Sequence, residues 1–238
     1  MTFRKLSVLY EGWGEHWVLG TLADDGTQLL FEYSTDALRQ GLELSPRHLA
    51  LRAAAYGGFP AHQHRLPGLV ADSLPDGWGL WLMDRMLRRT GRDPARASPL
   101  ERLAIIGNRA IGALSYVPPE DSKWPLEEVR LLELARRAQA VVAGRDSDAL
   151  PQLARLGGSP HGARPKVLVH YSPDNRFMST RPVEGTTAWL VKFQAQGEHR
   201  EVCAIEALYA ELAREVGLDI PATRRFDLDR RLAGFGIE

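Results

Sequence analysis

The sequence predicts an α+β fold in which a β-rich N-terminal subdomain precedes an antiparallel sheet with helices. Three observations support this class. β-prone runs flank an Asp-Gly turn near the N-terminus, a second group of short alternating runs follows residue 165, and amphipathic helical patterns lie between and after them. Because 44% of the 238 residues are apolar and 25% are charged, we expect a globular protein with a substantial core.

The N-terminal part is predicted to be a small sheet with loops. Residues 6–10 alternate like a strand, and the β-prone runs at residues 16–22 and 29–33 flank the turn at Asp25-Gly26. An Asp-Gly pair between such runs is a strong hairpin signal. Residues 45–68 contain scattered proline, glycine and histidine, which indicate loops and short pieces around the sheet.

Helical patterns follow. Capping residues at 72–76 precede an amphipathic run from Leu80 to Leu87, residues 98–106 form another short helical pattern, and residues 111–117 are strand-like. Four arginines crowd the far end of the first helix: Arg85, Arg88, Arg89 and Arg92. Cations near a helix C-terminus are favourable by about 0.3–1 kcal/mol each, which is the favoured account, and a nucleic-acid contact is the alternative.

The second half of the chain is predicted to contain a sheet between helices. The helical segments are residues 126–142, 148–156 and 202–216, and Gly157 and Gly217 are their stop signals. The strand-like segments are residues 167–171, 176–180 and 187–193, which read as one antiparallel meander, and a hairpin at residues 223–238. We therefore expect an N-terminal subdomain at residues 1–120, bridging helices at 121–156 and a further domain portion at 157–238.

Composition excludes several classes of protein. Thirty basic residues balance thirty acidic ones, so no overall field draws the chain to nucleic acid or to an anionic membrane. The single cysteine, Cys203, rules out an internal disulfide framework and fits a reducing compartment. His62 and His64 have no supporting cluster of ligands, so no metal site is predicted. Since the sequence shows neither a membrane-length apolar run nor a secretory signal, we expect a cytoplasmic protein.

A glycine-rich segment at residues 157–166 carries the first functional signal. Gly158 and Gly162, with the small Ala163, allow backbone N–H groups to approach phosphate oxygens, and Lys166 closes the segment. The alternative is a plain turn before a strand. A phosphoryl group on Ser159, inside this segment, would add about two negative charges where nucleotide phosphates belong.

Lys192 is the second signal. It interrupts an apolar strand, where alternation places it on the face opposite Trp189 and Val191. A lysine in a packed strand needs a counter-charge, and a triphosphate with a carboxylate supplies one. The alternative is an edge lysine whose stem covers apolar surface while its amine lies in water.

Glu206 is the third signal. It lies at the border of the apolar stripe of the following helix, from which it can point toward the sheet and pair with Lys192. Taken alone, it could be a solvated helical glutamate. A glycine loop, a strand lysine and a helix glutamate in this order are the parts with which a protein-kinase-like N-lobe grips a nucleotide.

With these residues, the chain resembles the HipA family of bacterial serine/threonine kinase toxins over essentially its whole length. The family's N-terminal subdomain is matched by residues 74–79 (LPDGWG) and 111–114 (IGAL). Its serine-containing phosphate loop is matched by residues 158–166 (GSPHGARPK), and its ATP-lysine strand by residues 189–192 (WLVK). Glu206 and the run from Leu212 to Pro221 match its characteristic helix.

The resemblance implies roles for these residues. ATP with magnesium would be held by Gly158, Ser159, Gly162, Ala163, Lys166 and Lys192, with Glu206 orienting Lys192. Ser159 would be the site of autophosphorylation. The implied partners are a HipB-like helix-turn-helix antitoxin and operator DNA, the latter only through the antitoxin complex, with no membrane partner.

A kinase also requires a catalytic aspartate, a downstream asparagine and a magnesium-binding aspartate after the nucleotide grip. Asp227 and Asp229 follow Glu206, but no asparagine follows them, and Gly234-Phe235-Gly236 reads as a strand-end turn. We therefore expect the kinase C-lobe, with the catalytic and magnesium ligands, to be absent from this chain. The chain would then be inactive alone and would need the missing lobe or a separate subunit. The alternative is a non-catalytic interaction module that binds an antitoxin or a kinase subunit.

Overall fold

The computed structural model describes residues 4–118, 128–145, 148–157 and 161–238. The chain divides into two compact units. The first unit comprises Met1–Pro75 and Leu87–Lys123, and the second comprises Asp76–Met86 and Trp124–Glu238. Each unit contains one five-stranded antiparallel sheet together with helices, so the predicted α+β class is confirmed.

The strands in the described residues are β1 (Lys5–Tyr10), β2 (Trp17–Asp24), β3 (Leu29–Tyr33), β4 (Ala55–Tyr56), β5 (Leu114–Val117), β6 (Lys166–Ser172), β7 (Phe177–Ser179), β8 (Thr187–Phe193), β9 (Thr223–Asp227) and β10 (Ala233–Ile237). The α-helices there are α1 (Thr35–Gln40), α2 (Gly68–Ala71), α3 (Gly77–Arg89), α4 (Pro99–Ile106), α5 (Leu131–Val142), α6 (Leu150–Gly157) and α7 (Glu201–Glu215).

The sheet of the first unit has the order β4-β3-β2-β1-β5. The predicted hairpin is confirmed as β2 and β3, which pair from Gly20 opposite Tyr33 to Asp24 opposite Leu29. The predicted strand at 111–117 is too long, because β5 begins only at Leu114. Gly112 adopts a φ of +104°, and this left-handed backbone delays the start of the strand.

Three of the four arginines lie in α3 and Arg92 follows its end, and at least one of the four is used for packing. The Nη1 atom of Arg85 donates a hydrogen bond to the carbonyl of Val141 at 3.2 Å, and its guanidinium lies 4.7 Å from the centre of the Trp81 ring. Further along, Arg92 Nη1 lies 3.6 Å from Glu101 Oε1. Both contacts support the structural account of this cluster.

The sheet of the second unit has the order β7-β6-β8-β10-β9. The predicted meander is therefore wrong, because β8 pairs with β6 and not with β7. β6 offers β8 six residue pairs, whereas the three-residue β7 forms three pairs with the other edge of β6. The prediction of a strand-end turn at residues 234–236 is also wrong, since they lie inside β10 and pair with β8 and β9.

The helices of the second unit cover its sheet on two sides. α5 begins at Leu131, whereas the helix was predicted to begin at residue 126. Residues 126–127 of the predicted helix lie outside the described part of the chain. We call the sheet side packed against α5 and α6 the core face. Its buried residues include Val167, Val169, Tyr171, Trp189, Val191 and Phe193, which cluster with Leu134, Ala138 and Leu153 of the helices.

The opposite side of this sheet, which we call the lysine face, packs against α7. Its buried cluster consists of Cys203, Ala233 and Phe235, with Val202, Ala207, Ala210 and Ile237 beside it. The helix was predicted correctly, but its large apolar stripe does not turn toward the sheet. The exposed members are Ile205, Leu208, Tyr209, Leu212 and Val216, with 45–77% of each side chain accessible. Small residues face β10 instead, because they allow the helix to approach the strand.

Candidate functional site

A row of side chains crosses the lysine face. Lys166 of β6 lies directly opposite Lys192 of β8, which in turn lies opposite Phe235 of β10. Side chains directly opposite each other in antiparallel strands project to the same face of a sheet. The amine of Lys192 lies 5.6 Å from the centre of the Phe235 ring. The sheet therefore brings two amines together beside an aromatic ring.

Lys192 forms the ion pair that its sequence position predicts. Its Nζ atom lies 3.1 Å from Oε2 of Glu206, which projects from the second turn of α7. The two side chains are 33% and 26% exposed. The amine is thus held by a carboxylate but remains accessible to an anion from solvent.

Glu206 has a second partner that the sequence analysis missed. Its Oε1 atom pairs with Arg164 Nη1, and Arg164 Nη2 lies 3.0 Å from Glu198 Oε1. The pKa of Glu198 is lowered, chiefly by the hydrogen bond from the backbone N–H of Ala195 at 2.8 Å and further by Arg164. Arg164 lies in the glycine-rich segment, and this position could have identified it as a residue of the site from the sequence. A chain of charges therefore connects that segment to β8 and α7.

The described part of the glycine-rich segment is held by the start of α3. Gly162, with φ of +102°, donates its N–H to the carboxylate of Asp76, and its carbonyl accepts from the N–H of Trp78 at 3.0 Å. A Cβ atom added to Gly77 would lie 2.6 Å from the carbonyl oxygen of Gly162. Close approach of the two backbones thus requires glycine at 77. Ala163 follows in the same loop and is exposed, and Gly158 and Ser159 lie outside the described residues.

Asp76 was expected only as a helix-capping residue. Its carboxylate instead reaches across to the loop, which sequence spacing alone does not reveal because 86 residues separate it from Gly162. Trp78, whose N–H already binds the Gly162 carbonyl, forms a second bond from Nε1 to the carbonyl of Lys166 at 3.0 Å. Both ends of the loop from Gly162 to Lys166 are therefore fixed by the first turn of one helix.

Lys166 is the most buried charged residue of the site. Its side chain is buried, and its Nζ atom donates to the carbonyl of His161. Burial lowers the pKa of Lys166, and the positive charge of Lys192 lowers it further, while Asp76 and Glu206 act in the opposite direction. An anion placed between the two amines would relieve their repulsion.

The site combines three cations with a fixed glycine turn. Arg164, Lys166 and Lys192 lie on or beside the loop. Carboxylates hold Arg164 and Lys192, a backbone carbonyl holds Lys166, and the Lys192 side chain remains partly exposed. Such an arrangement can bind a phosphate-bearing ligand. Within the described ranges, no group of three or more metal-ligating side chains is close enough to hold a metal ion. No helix among the described residues is long and apolar enough to cross a bilayer.

Comparison with known proteins extends this description. Residues 11–117 match the model of the HipA N-terminal domain, and residues 158–238 match that of the HipA-like C-terminal domain. A comparison with curated proteins gave no significant match.

Among solved structures, the fold is similar to a chain of the Shewanella oneidensis MR-1 toxin–antitoxin complex of HipA, HipB and operator DNA. The TM-score is 0.60 at 17% sequence identity. The alignment covers 98% of this chain but only 50% of the other, so this chain spans half the length of that structure. The two domain models fall in the order of the predicted resemblance and together cover most of the sequence. The chain belongs to the HipA family.

Proposed function

We propose that this chain is the ATP-gripping portion of a HipA-type protein serine/threonine kinase toxin. The observation that carries the proposal is the ion pair between Lys192 and Glu206, 3.1 Å long, beside a glycine turn. In protein kinases a strand lysine, held by a helix glutamate, contacts the nucleotide phosphates under a glycine-rich loop. The three parts occur here in that order along the chain, as in a kinase N-lobe.

The neighbouring residues support the same ligand. Lys192 and Lys166 would contact phosphate oxygens, the turn at Gly162 and Ala163 would allow the backbone to approach, and Glu206 would orient the lysine. Gly158 and Ser159 would extend the loop, with Ser159 as the autophosphorylation site. The nucleotide supplies the phosphoryl group, which passes to a serine or threonine hydroxyl of a protein as ADP leaves.

Catalysis would require groups beyond these. No magnesium ligands or catalytic base are assigned to the described residues, and the structurally similar chain is twice as long. We propose that a second half of the kinase supplies them and that this chain alone transfers no phosphoryl group. The similar structure is a complex of HipA, HipB and operator DNA. By analogy, a HipB-like helix-turn-helix antitoxin would bind this protein and would connect it to DNA.

A second candidate function is a non-catalytic interaction module. The observation in its favour is the exposed apolar stripe of α7, in which Tyr209 is 68% and Val216 is 77% accessible. Contiguous apolar surface of this kind is typical of protein-interaction sites. In this case the chain would bind an antitoxin or a kinase subunit, and the ion pair would serve only to hold α7 on the sheet.

The two candidates are separated by substitution of Lys192 in a reconstituted mixture. The chain is combined with the C-terminal half of a HipA kinase, and incorporation of phosphate from radiolabelled ATP is measured. We expect Lys192→Met to reduce labelling by about 100-fold, because the phosphates lose their positioned cation. Lys5→Met, which removes an exposed lysine of β1, is the matched control and should label like the wild type.

Labelling of Lys192→Met at the wild-type rate, in protein whose circular dichroism is native, would refute the role of this lysine. Stable association with the second half, without labelling in any variant, would support the interaction module. If the wild-type mixture is instead labelled, mass spectrometry of that active mixture should find phosphate on Ser159.

A further inference from the structure

We infer that the second unit carries a further binding site, for a phosphomonoester attached to an aromatic or apolar group. The site is a pocket of about 560 Å³ between the residues that lead into α5, strand β9 and the β6–β7 turn. Its lining combines three arginines, Arg130, Arg176 and Arg224, with the rings of Tyr171 and Phe226. None of these residues belongs to the nucleotide site proposed above.

The two rings form an apolar wall. Tyr171 and Phe226 meet edge to face, with ring centres 5.3 Å apart and planes at 81°. A Cβ atom added to Gly236 would lie 2.6 Å from the Phe226 ring, so the glycine of β10 allows this ring to lie against the sheet. The pocket therefore offers aromatic surface to an apolar group of a ligand.

The three arginines supply uncompensated charge. The guanidinium of Arg224 lies 5.5 Å from the centre of the Tyr171 ring and 6.0 Å from that of Phe226. Arg130 and Arg176 are exposed. Within the described residues, none of the three is within 4 Å of a carboxylate. An arginine stem that merely covers apolar rings would explain Arg224, but not two further unpaired arginines around the same pocket.

The one acidic residue of the lining is engaged elsewhere. Glu128 accepts hydrogen bonds from Ser179 Oγ at 2.9 Å and from the N–H of Thr180 at 3.0 Å. Three positive charges against one negative charge leave a net charge of about +2. A phosphomonoester carries about −1.5 to −2 at neutral pH, whereas a carboxylate carries only −1. Guanidinium groups also match phosphate oxygens in geometry, so a phosphomonoester is the ligand that best balances the pocket.

The pocket is separate from the candidate nucleotide site because the two lie on opposite faces of the sheet. Tyr171 is five residues beyond Lys166 in β6, so alternation places it on the core face. Phe226 lies opposite Gly234, one residue from Phe235 of the lysine face. Binding in the pocket should therefore not depend on Lys192.

The test uses phenyl phosphate as the probe and isothermal titration calorimetry of the whole chain. We expect saturable binding by the wild type and a loss of about tenfold or more in affinity for Arg224→Gln, since hydrogen bonds to charged groups are lost. Arg47→Gln removes an exposed arginine of the first unit and is the matched control, with unchanged affinity expected. Lys192→Met should also bind phenyl phosphate like the wild type.

Inorganic phosphate and benzoate complete the comparison, and each should bind more weakly than phenyl phosphate. Absence of saturable binding to the wild type would overturn the proposal, as would equal affinities of Arg224→Gln and Arg47→Gln. Benzoate binding as tightly as phenyl phosphate would overturn the assignment of a phosphate. If Arg224→Gln fails to fold, Arg176→Gln in the exposed turn decides the same question by the same criterion.

Discussion

The two faces of the sheet in the second unit are built in different ways. On the core face, Trp189, Val191 and Phe193 are at most 2% exposed and pack against two helices. On the lysine face, α7 contributes mainly small side chains, such as Cys203 and Ala207. The strands β6 and β8 contribute charged side chains to the same face. Around β8, the core face is filled with apolar side chains, whereas the lysine face is left partly open.

The difference indicates which face holds the fold together. Burial of one large apolar side chain stabilises a protein by about 1.5–3 kcal/mol. A partly exposed ion pair contributes only about 0–1 kcal/mol. The charges of the lysine face therefore add little to stability, and a ligand explains them better than packing does.

The largest expected effect tests this division directly. Phe193→Ala removes a ring that is 1% exposed on the core face, and we expect it to lower the free energy of unfolding by about 3–5 kcal/mol. Leu208→Ala, on the exposed stripe of α7, should change it by no more than about 0.5 kcal/mol. Urea denaturation followed by circular dichroism measures both. Equal losses for the two variants would show that burial on the core face does not dominate the stability of the fold.

Part of the candidate site could be predicted from the sequence because local periodicity determines it. Alternation along β8 placed Lys192 on the face opposite Trp189, and helical spacing placed Glu206 within reach, and the structure shows the two side chains paired. Arg164 and Asp76 were missed as partners. Their contacts depend on how a loop folds back over α7 and α3, and no period in the sequence encodes that path.

Strand order and helix orientation were harder to predict for a related reason. Turn signals predict that β6 and β7 form a hairpin, but they do not reveal which edge of the hairpin β8 joins. In α7, both the stripe containing Ile205 and Leu208 and the smaller set containing Cys203 and Ala207 repeat at helical spacing. Only packing against Phe235 decides between them, and it favours the small residues.

A moderate effect on stability is expected from a change in α3, which holds the loop from Gly162 to Lys166 beside the lysine face. Gly77→Ala should destabilise the protein by about 1–3 kcal/mol, since an added Cβ would lie 2.6 Å from the carbonyl oxygen of Gly162 at a φ of +40°. Gly144→Ala is the matched control, because Gly144 also has a positive φ but no atom within 4 Å of an added Cβ. It should cost only about 1 kcal/mol.

Thermal denaturation of both glycine variants gives the difference between them, which isolates the contact with the loop. If Gly77→Ala is no less stable than Gly144→Ala, α3 does not hold the loop. Weaker ATP binding by Gly77→Ala than by Gly144→Ala would further show that the position of the loop matters to the ligand.

The smallest effect is expected for the ion pair itself. A double-mutant cycle with Lys192→Met and Glu206→Gln should give a coupling free energy below about 1 kcal/mol in urea denaturation, because both side chains are partly exposed. The single change at Glu206 also releases Arg164, but this loss is common to both arms of the cycle and cancels. A coupling of several kcal/mol would make the pair a structural element like those of the core face. A small coupling, combined with loss of ATP-dependent labelling in Lys192→Met, would mean that the lysine is held in position for the nucleotide and not for the fold.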